Sequence, residues 1–253
     1  MTPPAPRKRS SSARSSRPTA QPREDRPPEP MPLPITLVVG TDTGVGKTWI
    51  SCALARALRD TGQEVVAVKP IETGVPDPPA PDEDGALLAE ASGQAGPRRA
   101  LIRLPGAVAP AIAADQAGIE LDYDDLVARL RSLATPETLL IVEGTGGLLS
   151  PLTWQDNHLD LAHSLDARVL VVAADRLGTI SHTLMALRVL RGEKVPVLGV
   201  VLNQVGEADE STRTNGAALQ RLAEHTPVVT VPRLDDPVRA AEAVKEVAGW
   251  VLP

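Results

Sequence analysis

The residues with the plainest chemistry are Gly40-Thr41-Asp42-Thr43-Gly44-Val45-Gly46-Lys47-Thr48, which follow the apolar run Leu37-Val38-Val39. Gly44 and Gly46 lack Cβ atoms, so successive backbone N–H groups can close around a phosphate. A helix beginning at Lys47 would add the positive end of its dipole. Lys47 can then reach the β- and γ-phosphates of a nucleoside triphosphate, and the Thr48 hydroxyl can ligate Mg²⁺. Val45 and Trp49 complete this stretch of expected ATP contacts. The first glycine stands one residue farther out than in the usual G-x-x-x-x-G-K-[ST] spacing, but the physics survives that insertion. A glycine-rich turn that binds nothing is the alternative. The order strand, Gly-Lys-Thr, helix argues against it.

Two carboxylates and a lysine could complete such a site. Leu139-Leu140-Ile141-Val142 is an apolar run that ends in Glu143, followed by Gly144-Thr145-Gly146-Gly147. An acid there can hold Mg²⁺, and the glycines leave N–H groups free for an anion. Asp84 stands at the start of a helix-like stretch, where an acid is first of all a cap and less often an oxygen ligand for Mg²⁺. Lys69, in Val68-Lys69-Pro70-Ile71-Glu72-Thr73-Gly74, is either a solvated surface lysine or a cation that balances charge on a reacting group. The residues alone do not choose between these. His158, His163, His182 and His225 show no zinc spacing, and no acid–His–nucleophile set is readable. Cys52, the single cysteine, reads as a buried packing residue.

The elements that must position these groups follow a regular alternation. Short apolar runs occupy residues 35–39, 65–68, 139–142, 169–172, 197–202 and 228–231, with a further short strand expected near 100–103. Continuous rather than alternating runs indicate strands buried on both faces of a parallel sheet. Helix-like stretches lie between them at 47–60, 84–91, 122–134, 158–165, 181–191, 212–224 and 237–250. The expected fold is therefore α/β, a doubly wound, mostly parallel sheet of about seven strands. Ligands of such a sheet bind beyond the carboxyl ends of its strands, where the residues named above fall.

Composition narrows the partners. The net charge is −6, of which residues 1–30 contribute +4, so residues 31–253 carry −10. An acidic body with 2% aromatic residues and no Phe fits neither a DNA-binding surface nor a base-stacking platform. A lone cysteine fits a reducing compartment, and no apolar run is long enough to cross a bilayer. A cytoplasmic setting with neither nucleic-acid nor membrane partners is expected. Residues 1–30, rich in Pro, Ser and Arg, cannot bury enough surface to order themselves. They read as a disordered tail or as sequence upstream of a true start at Met31, with a basic arm or transit peptide as the functional alternatives. Residues 31–253 are expected to form one catalytic domain.

In combination and in this order, GTDTGVGKT, KPIETG, an acid before a small-apolar helix, and VEGTGG resemble the dethiobiotin synthetase family. The likeness spans most of residues 35–232, including Ala109-Pro110 and Asp175-Arg176-Leu177-Gly178-Thr179-Ile180-Ser181-His182. It departs at Thr145, where the family usually has Ala. The resemblance implies an ATP-dependent enzyme that takes 7,8-diaminopelargonate and CO₂ to dethiobiotin through a carbamate and a carbamic–phosphoric anhydride, with no protein nucleophile. It implies that Thr43 and Thr73 contact the substrate, that Lys47 and Lys69 are the catalytic cations, and that Thr48, Asp84 and Glu143 hold Mg²⁺. Gly144, Thr145 and Gly146 would offer N–H groups, while Asn203, Gln204 and Pro232-Arg233-Leu234 would border the adenine. It also implies a homodimer near residues 178–180, which the sequence itself does not show. Rival readings are a cobyrinate-type amidoligase, which needs a downstream glutaminase domain, and a ParA/MinD-like ATPase switch. The latter carries a glycine-flanked lysine where this chain has Thr41-Asp42-Thr43. A paralogue acting on another diamine or carboxylate remains open.

Overall fold

The β-branched and leucine-rich runs do become strands buried on both faces. In β1 (Thr36–Gly40) every residue is buried, with Leu37 and Val39 entering one apolar cluster and Val38 the other. That is the period-2 signature of a strand between two helical layers. The computed structural model describes residues 33–252. The expectation for residues 1–30 therefore lies outside the described residues.

After β1 come α1 (Lys47–Asp60), β2 (Glu64–Val68), β3 (Ile71–Thr73), α2 (Asp84–Ser92), β4 (Ile102–Leu104) and α3 (Pro110–Ala117). The chain continues through α4 (Tyr123–Arg131), β5 (Thr138–Gly147), α5 (His158–Ser164), β6 (Arg168–Ala174) and α6 (Thr179–Gly192). It closes with β7 (Val197–Asn203), α7 (Asn215–Leu222), β8 (Val228–Val231), α8 (Pro237–Ala243) and α9 (Lys245–Val251). The main sheet has six strands in the order β2-β5-β1-β6-β7-β8, and every neighbouring pair is parallel. Helices α1, α8 and α9 contribute to the apolar cluster on one face, and α4 to α7 to the cluster on the other.

The expected count of about seven strands needs correction. The short strand expected near 100–103 forms as β4, but it pairs with β3 in a separate two-stranded sheet. Pro70 has no N–H to continue a ladder, and the chain leaves the main sheet there. Helix α3 had no counterpart in the sequence reading. Its buried positions, Pro110, Ala111, Ala113 and Ala114, are nearly all alanine, too small for a visible apolar stripe. The single helix expected over 237–250 is two, divided at buried Val244.

Two strand orders meet at the centre of the sheet. β1 has β5 on one side and β6 on the other, so crossovers leave in opposite directions and open a crevice at their carboxyl ends. There the register of β1 and β5 shifts, from Val38 opposite Glu143 to Gly40 opposite Gly147. The extra length of β5, which the apolar run alone did not mark, carries Gly144-Thr145-Gly146-Gly147 across the mouth of the phosphate loop.

Candidate active site

The loop from Gly40 to Gly46 turns directly into α1. Gly46 is left-handed at φ 85°, and a Cβ built there would sit 2.2 Å from the Asn203 amide nitrogen. No side chain fits at that position, and glycine alone adopts the conformation without strain. The same Asn203 amide donates to the Val45 carbonyl at 3.0 Å, tying the loop to the end of β7. Asp42 accepts from the Thr43 N–H at 2.7 Å and pairs with Arg176 at 3.2 Å on the exposed side.

Lys69 is the centre of the site. It is 3% exposed, so the reading as a solvated surface lysine fails. Its Nζ donates to Asp84 Oδ2 and to Glu143 Oε1, each at 2.7 Å, and lies 3.4 Å from the Gly144 carbonyl. The Thr48 hydroxyl donates to the same Glu143 Oε1 at 2.8 Å. Four side chains, from α1, α2, β5 and the link after β2, thus converge at the carboxyl end of the sheet. Burial disfavours the charge on Lys69, but the Glu143 and Asp84 carboxylates outweigh it and raise its pKa above the usual lysine range. Lys47 behaves oppositely. Burial and then the charge of Lys69 lower it to about 8, against the opposing pull of Glu143, Asp84 and Asp42, and its Nζ donates to the Asp42 carbonyl at 3.4 Å. A bound polyphosphate would supply the negative charge that Lys47 lacks.

The fit to a divalent cation can be tested on these residues. Among the described residues no group of three His, Cys, Asp or Glu side chains forms a metal cluster. The expected set is different: two carboxylates, one hydroxyl and phosphate oxygens, as suits Mg²⁺. Among the described residues Glu143 Oε2 is buried without a hydrogen-bond partner. An orphaned carboxylate oxygen at 0% exposure calls for a cation or donor to satisfy it. The residues fit the ion.

Most of the remaining expected residues line three cavities that share lining residues. Thr43, Gly44, Gly46, Lys47, Thr48, Lys69, Thr73, Asp84, Thr145 and Gly146 line one of about 730 Å³. Thr43, Thr73, Thr145 and Gly146 also line a second, about 330 Å³, bounded by Ala107, Val108, Ala109 and Ser150. On the other side Gly46 opens onto a third, also about 330 Å³, with Trp49, Asn203, Gln204, Arg233 and Leu234. Val45 is buried and Pro232 is exposed, and neither is among the residues lining these three cavities. Thr145 also departs from expectation. Its N–H donates to His158 Nε2 at 2.8 Å and its hydroxyl to the Ile71 carbonyl, so neither group is free for an anion.

Two functional neighbours escaped the sequence reading. His158, fully enclosed, supports the turn at Gly144: a Cβ on that glycine would lie 2.6 Å from the imidazole. Burial first, then the charges of Lys47 and Lys69, hold its pKa down to about 3, so the ring is neutral. Glu72 is the other, a buried acid between Ile71 and Thr73. Only its place inside KPIETG could have drawn attention to it. Cys52 is buried as expected, with its thiol pushed up to about 12 by burial and then by Glu143.

A parallel sheet of this order, with a Gly-Lys-Thr loop at the end of its central strand and an acid on the neighbouring one, defines a P-loop nucleotide-binding enzyme. Residues 36–241 match the family described as AAA domain. A ParA family ATPase from Chlorobium tepidum TLS superimposes with a TM-score of 0.51 at 15% identity, over 86% of this chain and 93% of that one. At that identity the likeness concerns the fold alone. The ATP-dependent dethiobiotin synthetase of Anaeromyxobacter dehalogenans (strain 2CP-C) is 42% identical over 83% of this chain and 95% of its own length. That of Aquifex aeolicus is 33% identical over 85% and 96%. The chain belongs to the ATP-dependent dethiobiotin synthetase family.

Proposed function

We propose that this chain carboxylates 7,8-diaminopelargonate with CO₂ and closes the ureido ring of dethiobiotin at the expense of ATP. The observation that carries the reading at residue level is the buried Lys69, held between Asp84 and Glu143 at the mouth of the phosphate loop. One amine of the substrate takes up CO₂ as a carbamate and releases a proton. A carbamate oxygen attacks the γ-phosphorus and ADP leaves. The second amine then attacks the carbamoyl carbon, the C–O bond to phosphate breaks, and the ring closes. None of these steps needs a protein nucleophile; positioning and charge stabilisation suffice.

In this reading Lys47, Gly44 and Gly46 hold the phosphates, and Lys69 stabilises the carbamate and the transferring phosphoryl group. Thr48, Asp84 and Glu143 would hold Mg²⁺, which when bound would neutralise charge on the phosphates. Thr43 and Thr73, on the wall away from the base side, orient the diamine. Trp49, Asn203, Gln204, Arg233 and Leu234 border the base. Exposed Leu177 adjoins residues 178–180 in the chain, and exposed Leu149 and Met185 line one cavity with His182, which supports a homodimer on this face. Among the described residues no helix is long and apolar enough to cross a membrane.

The test is ATP cleavage with and without diamine and bicarbonate. ADP and dethiobiotin should appear in equal amounts and only when both substrates are present. Hydrolysis indifferent to the diamine would contradict the reading. Sedimentation should give about twice the 26.6 kDa of the chain, and a fully active monomer would remove the dimer.

A further inference from the structure

Helix α2 brings Asp84 to Lys69, yet the helix does not cap itself. Its N-cap residue, Glu83, makes no side-chain cap hydrogen bond. The Glu83 carboxylate is turned the other way, where it pairs with Arg99 at 2.9 Å and Arg103 at 2.7 Å and accepts from the Ala80 N–H. The first amides of α2 are taken instead by a residue from another element. Glu72 Oε1 accepts from the Asp84 N–H at 2.6 Å, and Oε2 from the Gly85 N–H at 3.0 Å. A carboxylate that receives two N–H groups at the positive end of a helix gains from both the hydrogen bonds and the dipole.

Glu72 is 6% exposed. A buried acid costs several kcal/mol unless paired or hydrogen-bonded, and here the partners are backbone N–H groups rather than a cation. The helix start is equally constrained on its far side. A Cβ at Gly85 would fall 2.2 Å from the Ala100 nitrogen and 2.6 Å from the Arg99 carbonyl carbon. The first turn of α2 is thus pressed against residues 99–100 and held from the other side by Glu72. Asp84, at 35% side-chain exposure, has no such enclosure of its own. Its carboxylate is held at one end by Lys69 and at the other through its backbone, whose N–H is bound by Glu72.

We infer that Glu72 is a positioning residue that presents the Asp84 carboxylate to Lys69 and to the divalent cation that accompanies ATP. The inference rests on the proposed metal role of Asp84. Glu72 touches neither phosphate nor metal in this account. Loss of a carboxylate that orients a metal ligand typically lowers metal affinity about 10–100-fold.

The experiment measures ATP binding to the full chain by calorimetry, first in EDTA and then across a Mg²⁺ titration, for wild type, Glu72→Gln and Asp84→Asn. Glu72→Gln keeps the side-chain volume but replaces one acceptor with an NH₂ group that opposes an N–H. It should bind ATP as wild type does in EDTA, and it should need about 10–100-fold more Mg²⁺ to tighten that binding. Glu72→Asp, which keeps the charge on a shorter reach, should recover part of the loss, and it takes the place of Glu72→Gln if that variant does not fold. A melting temperature lowered by Glu72→Gln with an unchanged Mg²⁺ dependence would make Glu72 merely structural and overturn the inference. If Asp84→Asn also leaves the Mg²⁺ dependence unchanged, the metal role of Asp84 fails with it. A shift with Asp84→Asn alone would sink Glu72 and leave the metal role standing.

Discussion

The two ends of the cleft are built differently. At the proposed phosphate end Lys69 and Glu143 are buried, bonded to one another, and rooted just past the end of β2 and within β5. At the end proposed to take the base, Arg233 and Pro232 are exposed, on the irregular segment after β8. Strands fix the first group within a low-dielectric crevice, where each charge acts strongly. A loop carries the second group, in water, where contacts are screened and adjustable. The difference teaches where the rate should reside: in the strand ends, with the loop rim contributing only to nucleotide affinity.

Lys69→Gln should break this contrast most severely. It deletes a buried cation where negative charge accumulates, and loss of one such preorganised contact costs about 3–4 kcal/mol, or roughly 10²–10³ in rate. ATP affinity should stay near normal, because Lys47 and the loop amides remain. Wild-type product formation by this variant would refute the role given to Lys69 and leave the nucleotide site intact.

Glu143→Gln ranks next. It retains an oxygen for Thr48 and removes the charge, so turnover should fall by at least the roughly 10–100-fold seen when a partner of a metal ligand is lost. Rates measured across Mg²⁺ concentrations decide it: wild-type turnover at saturating Mg²⁺, reached with no higher Mg²⁺ requirement, would take Glu143 out of the ligand set.

His158 sharpens the comparison through pH. Histidine ordinarily titrates near 6.5, and in the fold this one is held down to about 3. Between those values the unfolded chain binds a proton that the folded chain refuses. The stabilisation is complete above about pH 6.5 and is lost as pH falls toward 3, at up to about 1.4 kcal/mol per pH unit. Glu83, held near 2 by Arg103, loses its own contribution below the usual carboxylate range. The curve for His158→Gln should therefore be subtracted from wild type; the difference should rise between pH 3 and 6.5 and be flat above. A flat difference throughout would mean that the ring is not held neutral.

Arg233→Ala should have the smallest effect. As an exposed contact it is worth about 0.2–1 kcal/mol, a few-fold in the KM for ATP with kcat unchanged. A hundredfold fall in kcat would erase the distinction between strand end and rim.

The phosphate end was legible in the sequence because its residues terminate apolar strands: Lys47 and Thr48 follow β1, Lys69 follows β2, and Glu143 lies within β5 where its apolar run ends. A strand's end fixes its neighbour's position in space, so a motif there reads almost as a coordinate. Glu72 and His158 were not legible, because each acts by receiving a backbone N–H from a segment remote in sequence. No periodicity marks such a pairing. The three-residue strands β3 and β4 and the alanine-faced α3 were obscured for want of length and of large side chains. Thr145 was legible as a residue and misread as a donor, since the imidazole that takes its N–H lies 13 positions onward.

The central claim is that the oxygen of a carbamate, not of water, attacks the γ-phosphorus. A single turnover with ¹⁸O-labelled CO₂, quenched before the label exchanges with water, tests it directly. The account predicts one ¹⁸O atom in the released phosphate, carried there when ring closure breaks the C–O bond. Unlabelled phosphate formed together with dethiobiotin would contradict it.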